Sequence, residues 1–171
     1  MKTMSKEFNI YVANLAKYNE GELAGKWIAL PCYDIEEQIQ EILGDDEEYA
    51  IHDYECNFMR VEEYDSPYEL NELAEKLESL SEHEQAKLKA LIEWGYYKDI
   101  EDAIENLDDF NLYEDINDES DLGYYWLFES GCYELDKMGN LASYIDYEAF
   151  GRDVSYESDG TFTAYGWIER T

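Results

Sequence analysis

Glu69, Glu72, Glu75 and Glu78 recur at every third position, and Glu82 follows four residues later. Carboxylates in number can serve as paired acids and bases, as metal ligands, or as a fixed negative surface. A pair suited to glycoside hydrolysis stays open, but acids stand everywhere in this chain, so no single pair carries weight. Metal chemistry has little support. The two histidines are His52 and His83, and His52 lies four residues from Cys56 at the end of a predicted strand, where the two do not converge. Asp115, Asn117 and Glu119 alternate as in a calcium loop, but Ser120 stands where glycine is required and Trp126 where the bidentate glutamate is required. No phosphate loop, dinucleotide fingerprint or nucleophile elbow occurs. No cofactor is expected.

The chain has 171 residues, with 43 acids and 12 bases, for a formal charge of −31. Such a charge ordinarily means disorder. Seventeen tyrosines, four tryptophans and six phenylalanines argue instead for a folded body that tolerates self-repulsion. The charge is not a tail: there are 13 acids against 5 bases in residues 1–60, 13 against 4 in 61–103 and 17 against 3 in 104–171. A nucleic-acid binder needs a basic stripe, and this chain has the opposite. No apolar run is long enough to span a membrane. Met1-Lys2-Thr3-Met4-Ser5-Lys6 leads into strand-like residues and not a signal-peptide core. The odd count of cysteines, Cys32, Cys56 and Cys132, points to reduced thiols in a cytoplasm.

The elements that must hold these acids read as α+β. Strands are predicted over Phe8–Asn14, Lys26–Leu30 and Tyr49–Tyr54, with a turn at Tyr18–Gly21 and a helix capped by Asp34 through Leu43, ended by Gly44. Ser66-Pro67-Tyr68-Glu69 and Ser81-Glu82-His83-Glu84 are capping boxes, each opening a helix with apolar residues at three- and four-residue spacing. Gly95 ends the second, and Asp99–Leu107 forms a third. Beyond them a strand is expected at Phe110–Tyr113, helices over Asp118–Ser130 and Leu141–Phe150 (the latter stopped by Gly151), and one terminal strand over Thr161–Ile168. The expected organisation is an N-terminal α+β unit (1–61), a central helical unit (62–107) and a C-terminal α+β unit (108–171).

The acid row on the helix after Ser66 advances about 4.5–6 Å per step. B-form DNA carries one charge per roughly 1.7 Å of axis, so a net charge of this size matches roughly 50 Å of duplex, or about 15 base pairs. A rigid display of that kind could claim the basic groove of a DNA-binding enzyme, whose affinity rests mostly on sequence-independent phosphate attraction.

Three strings carry a resemblance across nearly the whole chain: residues 11–25 (YVANLAKYNEGELAG), 49–55 (YAIHDYE) and 144–153 (YIDYEAFGRD). They closely resemble the ArdA antirestriction proteins. The resemblance implies a curved, elongated, DNA-mimicking fold of three parts, dimeric through its C-terminal part. It implies a non-enzymatic inhibitor of type I restriction–modification enzymes that engages the methyltransferase core and specificity subunit, shields incoming DNA of plasmids and transposons, and binds no nucleic acid itself. The family's antirestriction region falls on Asp121–Asp153. Trp126 and Phe128 make this stretch more aromatic than the family pattern, which points to subunit packing here.

The candidate partner-binding acids are Glu62, Glu63, Asp65, Glu69, Glu72, Glu75, Glu78 and Glu82, then Asp115, Asp118, Asp121, Glu129, Asp146, Glu148 and Asp153. The candidate dimer interface is Tyr125, Trp126, Phe128, Tyr144, Tyr147 and Phe150. Arg152 is expected to close on a neighbouring acid. Competing readings are a general binder or chaperone of basic DNA-binding proteins, a carboxylate-dependent hydrolase, and adaptation to salt.

Overall fold

A computed structural model of the chain describes residues 7–171; the Met1–Lys6 start discussed above lies outside the described residues. The fold is α+β, with two compact units, residues 1–85 and 86–171, dividing inside one helix.

The first unit is built on an antiparallel sheet ordered β2-β1-β3: β1 is Asn9–Asn14, β2 Gly25–Ala29 and β3 Tyr49–Glu55. Alternation in β1 buries Ile10 and Val12, and Phe8 precedes them into the core. Helix α2 (Ile35–Leu43) adds Ile39, Ile42 and Leu43 to the buried set. Helix α3 (Pro67–Ser79) buries Leu70, Leu73, Ala74 and Leu77 on one face. Its start is the expected one, with Ser66 accepting from the Glu69 amide and Pro67 at the first position.

Two details of this unit depart from expectation. Tyr18 and Asn19 belong to a short helix, α1 (Leu15–Asn19), because buried Asn14 accepts from the Lys17 amide and caps it. Asp34 precedes α2 but makes no capping bond. Its carboxylate is occupied by the Cys32 thiol (3.0 Å) and the Gln38 amide (2.9 Å). Helix α4 (Glu82–Trp94) carries the boundary between the units and opens with the complete capping box. The Ser81 amide donates to Glu84 (2.8 Å), and the Glu84 amide to the Ser81 hydroxyl (3.3 Å).

The second unit holds α5 (Ile100–Glu105), capped by Asp99, and a sheet ordered β4-β6-β5. Its strands are β4 (Phe110–Tyr113), β5 (Gly160–Thr163) and β6 (Gly166–Arg170). Trp167, Ile116 and Leu122 form a buried cluster, with Tyr113, Tyr125, Trp126, Val154 and Phe162 packed against it.

Three elements of this unit correct the sequence reading. The stretch expected as one strand, Thr161–Ile168, is a hairpin. Gly166, at φ 117°, passes so close to the Tyr113 carbonyl that a Cβ would collide with it. The helix opened by Asp118 is regular only over α6 (Glu119–Tyr124), then loosens to a π turn at Tyr125–Glu129. The helix expected over Leu141–Phe150 is displaced: a 3-10 segment, Leu135–Tyr144, is broken at Gly139, and α7 runs Tyr147–Glu157 straight through Gly151. Asp146 starts α7 by accepting from the Ala149 amide. Gly151 does not stop the helix; it lets α7 pack on α6.

Candidate functional site: a surface of carboxylates

Every acid of the chain lies within the described residues, and none is buried. The physical reason is local. Apolar residues at helical spacing occupy the inward face of α3, which leaves Glu69, Glu72, Glu75 and Glu78 on the outward face, all exposed. Glu62 and Glu63 are exposed just before α3, while Asp65 is half-buried and accepts from the Glu62 amide (2.8 Å). Glu82 is exposed in the first turn of α4.

In the second unit Asp115, Asp118, Asp121, Glu129, Asp146, Glu148 and Asp153 are all exposed. Several also build helices. Asp118 accepts from the Asp121 amide (2.9 Å) and caps α6, Asp121 accepts from the Asn117 amide (3.1 Å), and Asp146 caps α7. Acids thus concentrate where helix N-termini already favour negative charge.

Five of the scarce bases are closed onto nearby acids. Lys26 pairs with Glu41 (3.3 Å), Arg60 with Glu62 (2.8 Å), Lys98 with Asp99 (3.6 Å) and Lys137 with Glu134. Arg152 pairs with Glu148 one turn back at 2.8 Å, the internal bridge anticipated for it. Two acids are held below the usual carboxylate range: Asp34 by the Cys32 thiol and Gln38 amide, and Asp99 chiefly by the Asp102 amide it caps. Both therefore stay charged into acid.

Burial pushes the Cys56 thiol upward, and burial together with the hydrogen bond to Asp34 does the same to Cys32, which disfavours the thiolate that nucleophilic chemistry needs. His52 packs edge-on against Tyr18, ring centres 4.5 Å apart. Among the described residues no group of three or more His, Cys, Asp or Glu is placed to hold a metal ion, and no helix is long and apolar enough to cross a membrane.

The candidate interface aromatics divide. Tyr125 and Trp126 lean inward on the core cluster. Phe128 and Tyr147 meet edge to face at 5.5 Å, and Phe128 also stacks on Tyr124 at 4.8 Å. Phe150 meets Tyr133 at 5.7 Å, and Tyr144 is 83% exposed. Sequence reasoning assigned no role to Asn14 or Arg170, since an isolated polar residue in a strand carries no periodic signal.

Fold and surface together define an acidic α+β protein whose carboxylates lie at or near the surface. The family model described as antirestriction protein (ArdA) matches residues 10–169. The chain belongs to this ArdA family of antirestriction proteins, whose partners are restriction–modification enzymes. No curated protein matches the chain.

Proposed function

We propose that this protein acts as a mimic of B-form DNA, occupying the DNA-binding groove formed by the methyltransferase core and specificity subunit of type I restriction–modification enzymes. It thereby protects incoming mobile DNA. The observation that carries the reading is that no acid is buried in either unit and most stand exposed, while Lys26, Arg60 and Arg152 are closed onto neighbouring glutamates. A DNA-binding groove draws much of its affinity from phosphate attraction. Carboxylates fixed on a folded scaffold meet that groove with little ordering cost. The working element is a distributed field, not a catalytic residue, and no cofactor takes part.

The same reading includes a division into three parts (1–61, 62–107 and 108–171), arranged as an elongated, curved body. It includes a homodimer formed through the aromatic C-terminal part, action in the cytoplasm, and no binding of nucleic acid.

The test is restriction of unmodified phage DNA in cells carrying a type I system, with and without this protein. Expression should raise plating efficiency by orders of magnitude. Unchanged restriction would remove the reading. Competing the purified protein for a type I enzyme against an unrelated basic protein separates a dedicated inhibitor, which prefers the enzyme, from a general acidic binder or chaperone, which does not.

A further inference from the structure

The second unit contains a cleft of about 420 Å³, within the range of small-molecule sites, whose lining differs from the acid rows. Phe110 and Arg170 are cross-strand partners of β4 and β6, so their side chains rise from one face of the sheet. Tyr96 stands over Phe110 edge to face at 5.7 Å and stacks on Trp94 at 4.6 Å, which fixes its ring. The Tyr96 hydroxyl donates to Asp159 (3.4 Å) and accepts from the Arg170 guanidinium (3.3 Å). Arg60 and Arg152 are closed onto glutamates; Arg170 makes its side-chain hydrogen bond to a phenol, in a chain crowded with carboxylates. The same cleft is lined by Asp109 and by Asn106, whose amide nitrogen is spent on Asp102 while its oxygen keeps its acceptor capacity.

We propose that this cleft binds a neutral, flat heteroaromatic amide of the guanine type, as free base or nucleoside. The Tyr96 ring, one face of which is covered by Trp94, offers its other face for stacking. The guanidinium fork matches two adjacent acceptors such as O6 and N7 of guanine. The Asp109 carboxylate and the Asn106 oxygen accept from the ligand's ring N–H and amino group. The strongly negative field of the chain disfavours a phosphate, so the nucleoside binds better than the nucleotide. This site is independent of the antirestriction reading and involves different side chains.

The experiment is calorimetric titration of the full-length protein with guanosine, adenosine, cytidine and guanosine monophosphate, with NMR shifts of Tyr96 and Trp94 followed in parallel. Guanosine is expected to bind at least about tenfold more tightly than adenosine or cytidine. The monophosphate should bind more weakly, by a margin that narrows as salt rises. Arg170→Gln, at an exposed position and checked for an unchanged circular dichroism spectrum, should erase the preference for guanosine, and Tyr96→Ala should weaken all nucleosides. No binding at millimolar ligand would overturn the proposal. So would equal binding of all nucleosides unaffected by Arg170→Gln, or displacement of guanosine by a single-stranded oligonucleotide at lower concentration.

Discussion

Gly123 and Gly151 face each other where α6 meets α7: a Cβ built on Gly151 would come within 2.7 Å of the Gly123 backbone nitrogen, and would also strike the Glu119 carbonyl. The two helices approach to backbone contact only because both positions lack a side chain. Gly151→Ala should therefore destabilise the protein by at least about 1–3 kcal/mol, the range for forced overpacking. Urea unfolding of Gly151→Ala beside Ala149→Ser, an exposed change in the same helix, measures it. Equal midpoints would mean that the crossing tolerates a methyl group.

Asn14 is fully buried, and its amide donates to the Ile42 and Leu43 carbonyls and to the Asp46 carboxylate (3.3, 3.1 and 2.9 Å). Asn14→Asp places a buried carboxylate against three acceptors and removes the donor. Its folded-state pKa must rise above its unfolded value, so the deficit is small at acid pH and grows as pH climbs past about 4. Thermal melts of the variant and the parent at pH 4 and pH 7 should show the gap widening at the higher pH.

Tyr113 is held above the ordinary tyrosine range, first by burial and then by the Glu169 carboxylate to which its hydroxyl donates (3.2 Å). The unfolded chain then releases that proton at a lower pH than the folded one. Stability is full below about pH 10 and falls as pH rises beyond it. Tyr113→Phe should lower stability at neutral pH by about 1 kcal/mol, for the lost hydrogen bond, and should flatten the alkaline decline. A parallel slope above pH 10 in both proteins would remove the assignment.

If inhibition arises from the whole field, no single acid matters much. Changing Glu72 to Gln should alter inhibitory potency by less than about fivefold, the equivalent of roughly 1 kcal/mol for an exposed charge. Neutralising Glu69, Glu72, Glu75 and Glu78 together should cost far more. Inhibition by the parent should weaken as salt rises, because screening acts within about 8–10 Å. Collapse of activity from Glu72→Gln alone, in a folded protein, would contradict a distributed mechanism.

Legibility from sequence varied with the range of the determining contacts. The starts of α3, α4, α5 and α6 were readable because Ser66, Ser81, Asp99 and Asp118 act on amides three residues away. Gly95 was readable as a helix end for the same reason. Gly151 was misread, since a glycine that ends a helix and one that admits a neighbouring helix look alike in one dimension. The β5–β6 hairpin was hidden because Ala164 and Tyr165, its two turn residues, are not turn formers. The turn is closed by Thr163, whose hydroxyl donates to the Gly166 carbonyl (2.9 Å) and accepts from the Tyr165 amide (3.1 Å).

The amino-acid sequence by itself determined the sign of the surface. Forty-three acids cannot be buried beside so few bases, because the desolvation penalty has no partner to offset it. With helical and strand periodicity it also determined most elements and their outward acidic faces. Only the tertiary structure decided which residues meet across long separations: Gly123 with Gly151, Asn14 with the end of α2, and Phe110 with Arg170. Those pairings depend on packing between elements distant in sequence, and no local pattern of residue types encodes them.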